Sequence, residues 1–400
     1  MVRRRRASGL CVTLRTMRGR SLRVGTWLLA SVVLGCAPAP SPSPAVTAPP
    51  VPSDVAPWGD LLWTTADLPA TPAVVTSERV SAVAASDNGF VGVGFREHGD
   101  VRDGVAWFSA DGSTWTAATD PSFEGVELVD VAAAPHGYVA VGSTSPDADQ
   151  PTAVVFGSKD GRTWRRLPAL AATGETEASY VAGGSVGVLV VGSDASGAVA
   201  AWRSADGTTF QRVTLTGPAV DGLIDPHAVD DGFAALGTKD GAPALLRSAD
   251  GTSWDASTID SRTDTDASSL VVGRWGIVVQ GSRSPDCDDA DTCVPTDLGW
   301  WSGDGARWGI LPTDADSPVV NGVSLLVAAG DRGLLAVDGA DAWSSPDGWR
   351  WRPLPEPGDG SVDIDDAVVR DGVIVAVGTQ PSDVDDTSVG RILVGHAPSG

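Results

Sequence analysis

Six copies of one short pattern, S-x-D-G-x-x-W/F, constrain this 400-residue chain more than any other feature. They start at Ser109, Ser158, Ser204, Ser248, Ser302 and Ser345, with spacings of 49, 46, 44, 54 and 43 residues. A recurring period of that size means that each repeat buries its apolar face against its neighbours, rather than around one central core. The repeats alternate with strand-like runs that end in Gly: FVGVG from Phe90, YVAVG from Tyr138, VLVVG from Val188, FAALG from Phe233, IVVQG from Ile277 and VIVAVG from Val373, with LLAVDG from Leu334 completing the set. Seven runs of β-branched residues bounded by Gly and Asp turns read as buried strands. Composition agrees, because 48 Gly and 28 Pro supply turns while the only lysines are Lys159 and Lys239, so helix-forming surface is scarce.

The chemistry of the short pattern is that of a turn. Asp accepts bonds from backbone N–H groups, Gly supplies positive φ, and the aromatic opens the next strand and enters the core. These units resemble the Asp-box (BNR) repeats of sialidases, sortilin-type receptors and photosystem assembly factors. The resemblance covers residues 58 to 400 and implies four-stranded antiparallel blades with the box between the third and fourth strands. Asp111, Asp160, Asp206, Asp250, Asp304 and Asp347 are then structural turn residues. The aromatics Trp115, Trp164, Trp254, Trp308 and Trp351 belong to blade cores, as do Trp107, Trp202, Trp300 and Trp343, each two residues before a box Ser.

The seventh unit reaches a third strand at Arg391 to Val394 and then stops without a box. Its missing strand lies at the other end, where LWTTADLP from Leu62 looks like the post-box strands WRRLP and WRPLP, with Trp63 in the aromatic slot. Pairing that segment beside residues 391 to 396 closes a seven-bladed all-β propeller and removes its open edges.

The N-terminus reads as an address. Residues 24 to 35, VGTWLLASVVLG, form an apolar run too short to span a membrane, preceded by Arg18, Arg20 and Arg23, which is a signal-peptide pattern. The run ends in Val33-Leu34-Gly35-Cys36, which resembles the lipobox of bacterial lipoproteins, so Cys36 is the expected lipidated residue. The distant basic stretch Arg3 to Arg6 leaves Met17 as an alternative start. Residues 37 to 57 are Pro-rich and form an extended linker. The expected domains are therefore a signal peptide over 1–35, the lipidated Cys and linker over 36–57 and the propeller over 58–400, held on the extracytoplasmic face of a membrane.

Eight arginines and no acidic residue fall within residues 1 to 35, so the formal charge of −23 becomes −31 once they are removed. Such a field disfavours nucleic acid and anionic headgroups. Cys287 and Cys293 lie six positions apart and are expected to form a disulfide outside the cytoplasm. The loop between them is acidic. Asp286, Asp288, Asp289 and Asp291, together with Asp383, Asp385 and Asp386, mark a candidate binding face opposite the boxes for a cationic protein or glycan ligand, and Asp363, Asp365 and Asp366 read as inter-blade connections that add to it. Cofactors are not expected, although the Asp cluster beside the cysteines could hold Ca²⁺ through oxygen ligands without EF-hand spacing.

Sialidases bind an anionic sugar through three arginines and use a Tyr nucleophile paired with Glu. This chain has only Tyr138 and Tyr180, with Glu175 and Glu177 near the latter, and Arg is nearly absent from the inner strands. The expected function is thus a non-catalytic, surface-tethered binding or scaffold module with no catalytic residue and no metal site. A glycoside hydrolase and an envelope-complex assembly factor are the alternatives.

Overall fold

A computed structural model describes residues 58–59, 61–66, 68–69, 75–118, 120–144, 151–168, 170, 176–273, 275–284, 295–312, 317–320, 325–328, 330–358, 360–382 and 387–397. These form seven four-stranded antiparallel sheets. In blade 1 the strands are Ser77–Ser86, Gly89–His98, Val101–Ser109 and Thr116–Ala118, in that order from first to last. Blades 2 to 6 repeat this meander, with first strands Val126–Ala134, Thr176–Gly184, Ile224–Val229, Thr265–Gly273 and Leu325–Ala328.

Blade 7 takes Asp363–Arg370, Val373–Pro381 and Ser388–His396 from the end of the chain and Leu62–Thr65 from its beginning. The ladder runs from Leu62 opposite His396 to Thr65 opposite Leu393. The expected seven-bladed ring closed by its N-terminal strand is therefore the observed fold. Two further contacts hold the segment. Trp63 Nε1 donates to the Pro355 carbonyl of blade 6 at 3.0 Å, and Trp58 is fully buried with Leu61 among Val337, Ile364 and Leu393.

Each of the six repeats occupies the turn between third and fourth strands of blades 1 to 6. In blade 1 the Ser109 hydroxyl accepts from the Gly112 N–H at 2.8 Å, and Asp111 Oδ1 accepts from the N–H groups of Ser113 and Thr114. The box glycines have φ between 73° and 82°, which a β-carbon would strain, and a Cβ on Gly161 would also lie 2.6 Å from Val91 of blade 1. Asp347 is fully buried, accepting from Ser345, the backbone of Trp349 and Arg350, and the Arg350 guanidinium.

A second glycine series fixes the inner strands. In blades 1, 2, 3, 5 and 7 the first strand carries a bulge, and the glycine ending the Gly-terminated run pairs opposite its start. A Cβ on Gly142 would sit 1.9 Å from the Glu127 carbonyl oxygen, and one on Gly192 1.8 Å from that of Glu177. The missing side chain therefore lets the bulged backbone approach, and each bulge offsets the residues after it relative to the second strand.

Apolar side chains fill the spaces between neighbouring sheets. Phe123 meets Phe156 edge to face at 4.9 Å, with Trp164 beside them, while Trp107, Trp202 and Trp300 are almost wholly buried. Tyr138 is a core residue whose hydroxyl lies 2.7 Å from Ser86 Oγ and donates to the Gly89 carbonyl at 2.9 Å, tying blade 2 to blade 1. If Trp58 is part of the ring, Trp58→Ala should lower the unfolding free energy by about 3–5 kcal/mol, whereas Leu62→Ala, at a side chain 67% exposed, should change it by under about 1 kcal/mol. Denaturant titration of the two variants checks this, and equal midpoints would place the N-terminal segment outside the cooperative unit.

Candidate functional site

All seven first strands border one cavity of about 520 Å³ on the axis of the ring. The position just after the bulge faces it, held by Ala82 in blade 1, Asp130 in blade 2, Tyr180 in blade 3, Ser269 in blade 5 and Asp366 in blade 7. Blade 4 has a larger irregularity between Ile224 and His227, so Asp225 and His227 both reach the cavity. Asp225 is held at φ 49°, a left-handed backbone that costs free energy for a residue with a side chain.

The three carboxylates bridge blades. Asp130 accepts from its neighbour Val131 N–H and from Val181 N–H of blade 3, both at 2.7 Å. Asp366 accepts from Ala367 N–H at 2.7 Å and from Val83 N–H of blade 1 at 2.8 Å. Asp225 accepts from Leu270 N–H of blade 5 at 2.7 Å, and its other oxygen lies 3.0 Å from His227 Nε2. The N–H groups so engaged lie on first strands, whose axial edge has no further strand to pair with.

Enclosure by the ring sets the protonation states, although each group keeps some contact with the channel. Burial, reinforced by the neighbouring carboxylates, pushes Asp130 up to about 8 against the pull of its N–H bonds. Asp366 is pushed up to about 7 by burial, with Asp225 adding and His227 opposing. For His227 burial works against the charged ring, but Asp225 outweighs it with help from Asp130 and Asp366, so its affinity for a proton is raised. Burial, followed by the charges of Asp225 and Asp130, raises the Tyr180 phenol. The cavity thus holds carboxyl groups that carry protons near neutral pH beside the His227–Asp225 pair, and among the described residues no Lys or Arg lines it.

Sequence reasoning missed this constellation. Asp365 and Asp366, expected in an inter-blade connection, lie instead in the innermost strand of blade 7, because DIDDAVVR is a bulged strand and not a turn. Tyr180 does reach the axis, whereas Tyr138 does not. The lipidation residue Cys36, the cysteines Cys287 and Cys293, and the candidate face residues Asp286, Asp288, Asp289, Asp291, Asp383, Asp385 and Asp386 all lie outside the described residues. Among the described residues no group of three or more His, Cys, Asp and Glu is spaced to hold one metal ion, and no helix is long and apolar enough to cross a membrane.

No family model matches the chain, and no curated protein is similar to it at a significant level. Some solved structures are similar to it over most of its length. The chain is similar to a protein of unknown function from Dyadobacter fermentans at 12% identity and a TM-score of 0.44, over 85% of this chain and 98% of that one. A Trypanosoma rangeli sialidase matches at 13% identity and 0.43, over 80% of this chain and 55% of the sialidase. A family 117 glycoside hydrolase from Zobellia galactanivorans matches at 10% and 0.38, over 85% and 91%. The expectation of a protein without catalytic activity is corrected here. The ring brings Asp130, Asp225, His227 and Asp366, residues too far apart in sequence to be read together, onto one cavity, where they form a set of titratable groups the expectation did not include.

Protonation of this set couples to stability. Carboxyl groups raised from 3.8 to about 8 and about 7 are protonated in the folded state where the unfolded chain would ionise them. Their contribution is therefore fully present below about pH 4 and is lost as pH rises through about 7 to 8. The box carboxylates run the other way: Asp304, held down to about 2 by the Arg307 and Ala306 N–H groups, contributes stability that disappears as pH falls through its folded value. The melting temperature should accordingly peak near about pH 4 and fall between about pH 4 and pH 8. In Asp130→Asn the alkaline decline should be shallower, and an unchanged slope would show that Asp130 titrates normally.

Proposed function

We propose that the chain is a glycoside hydrolase of the Asp-box propeller type whose active site is the axial cavity. The observation that supports this reading is the convergence of Asp130, Asp366 and the Asp225–His227 pair on one cavity, with two of the carboxyl groups protonated near neutral pH. Glycosidic cleavage needs such a division: one carboxyl donates a proton to the leaving oxygen while another faces the positive charge that develops on the sugar ring.

Asp366 is the assigned acid, since a group that titrates close to the working pH gives up and regains its proton most effectively. It protonates the bridging oxygen, the bond from that oxygen to the anomeric carbon breaks, and the alcohol leaves. Asp225, hydrogen-bonded to His227, faces the oxocarbenium-like centre. Water then adds to the anomeric carbon and returns a proton to Asp366, so the acid is restored and one water is consumed per bond cleaved. The oxygen acceptors of the cavity suit this transition state, because they stabilise developing positive charge.

A panel of chromogenic aryl glycosides tests the assignment. One of them should be cleaved by the wild-type protein, and Asp366→Asn should lower kcat/KM by about 10²–10⁴-fold with its circular dichroism unchanged. Absence of cleavage across the whole panel would overturn the reading.

The same proposal carries the expected location. Lipidation at Cys36 behind the signal segment 1–35, with 37–57 as linker, holds residues 58–400 at the extracytoplasmic face of a membrane, where glycans are available and where Cys287 and Cys293 can pair. Cys36→Ala should move the protein from the membrane fraction to the medium, and unchanged detergent partitioning would reject the anchor.

A further inference from the structure

We infer that the niche between the box turns of blades 2 and 3 binds a soluble phosphate monoester. It is a cavity of about 300 Å³ bordered by His136, Lys159 and Arg165, with Ala134, Val139 and Trp164 as an apolar wall. His136 belongs to the turn between the first and second strands of blade 2, Lys159 is the second residue of its box, and Arg165 follows the box aromatic. All three are exposed, and among the described residues none meets a carboxylate at ion-pair distance. That is unusual in a chain where 51 acidic residues face 28 Lys and Arg. Elsewhere in the ring Arg96, Arg102, Arg262 and Arg283 all sit on carboxylates.

Blade 4 forms the corresponding niche, a cavity of about 610 Å³, and there the rim is acidic: Asp231, Ala249 and Asp255 stand where blade 2 has His136, Lys159 and Arg165. Asp231 and His136 each precede the glycine that opens the second strand, and the boxes SADGTSWD and SKDGRTWR align without a gap. The scaffold is shared and the charge is reversed, so the fold itself does not require the basic set. Asp160 and Asp206 also border the blade 2 niche, but each turns Oδ1 into its own box, where it accepts from two backbone N–H groups. The same box carboxylate recurs in the blade 4 niche as Asp250 and does not distinguish the two. Arg162, lying over the Phe108 ring at 3.6 Å, adds positive charge beside the blade 2 rim.

A phosphate monoester matches this rim. Its three terminal oxygens, with a charge of about −1.5 to −2 at neutral pH, meet three separate donors: the Arg165 fork, the Lys159 ammonium and the His136 ring. A carboxylate offers only two oxygens, and a sulfate ester only one charge. The organic part of the ligand lies against the wall of Ala134, Val139 and Trp164. A lipid headgroup carries similar chemistry, but a charged bilayer meets the field of the whole chain, formally −23, which opposes it, whereas a small ion meets the local potential. The niche shares no residue with the axial cavity, so this inference stands apart from the hydrolase reading.

Isothermal titration of the full chain with phenyl phosphate, phenyl sulfate and phenyl glucoside at about pH 7 and low salt tests this. Phenyl phosphate should bind at least about tenfold more tightly than phenyl sulfate, and the neutral glucoside should not displace it. Lys159→Ala and Arg165→Asp each install the residue that blade 4 carries, at exposed positions where the melting temperature should hold. Each should weaken phenyl phosphate at least about tenfold. Lys239→Ala, the same loss of charge at the far end of a blade 4 strand, should leave it unchanged. Affinity that ignores both blade 2 substitutions, that falls equally in Lys239→Ala, or that is equal for the sulfate would overturn the inference. Capture by phosphatidylglycerol vesicles without binding of phenyl phosphate would overturn it too, assigning the niche to a lipid headgroup. Phosphate binding without cleavage of any glycoside would sink only the hydrolase reading, and cleavage without phosphate binding only this one.

Discussion

Seven sheet edges face one axis, and none has a further strand to pair with. Every N–H that points inward from a first strand must therefore find an acceptor or water. The chain answers at three junctions with a carboxylate sent across from the neighbouring blade: Asp130 to Val181, Asp225 to Leu270 and Asp366 to Val83. The bulges make this possible, since they turn the residue after the irregularity toward the cavity, and the glycines opposite them give the distorted backbone room. The local geometry of five first strands, the registration of three blade pairs and the chemistry of the cavity thus share one cause.

That arrangement sets opposing demands on the same atoms. Bonds from backbone N–H groups favour the ionised carboxylate, whereas enclosure and mutual repulsion favour the acid, and for Asp130 and Asp366 enclosure wins. On the outer turns the balance reverses. Asp304 has two backbone donors and little enclosure, so its proton is held weakly. One residue type thereby serves as a turn anchor at the periphery and as a proton-bearing group at the axis, and the difference comes from surroundings rather than from sequence context.

The repeat, the blade order and the closing strand were legible because each is local or follows from periodicity: a turn pattern of seven residues, a Gly-terminated run, and the unmatched strand at Leu62. The axial set was harder. Asp130 and Asp366 lie 236 positions apart, and which face of a strand a residue occupies depends on a one-residue bulge that simple alternation does not encode. A signal was nevertheless present. The first strands align as Val80-Ser81-Ala82-Val83, Leu128-Val129-Asp130-Val131, Ala178-Ser179-Tyr180-Val181, Ala267-Ser268-Ser269-Leu270 and Ile364-Asp365-Asp366-Ala367. Apolar residues flank the first and last places, while the third varies among Ala, Asp, Tyr and Ser, as expected where repeats keep a scaffold and differ in what they present to a ligand. Reading Asp365 and Asp366 as part of a connection concealed that column.

The first and last described strands meet at the rim of blade 7, so the two ends of the propeller are neighbours. A pull applied through the chain preceding Trp58 would not load the ladder of Leu62–Thr65 at once. Trp58 and Leu61, sunk between blades 6 and 7 with the Arg332 guanidinium 4.9 Å from the Trp58 ring, stand ahead of it and must be drawn from their pocket before the ladder bears force. The ring is in this sense moored by a buried indole that stands ahead of the four residue pairs of the ladder.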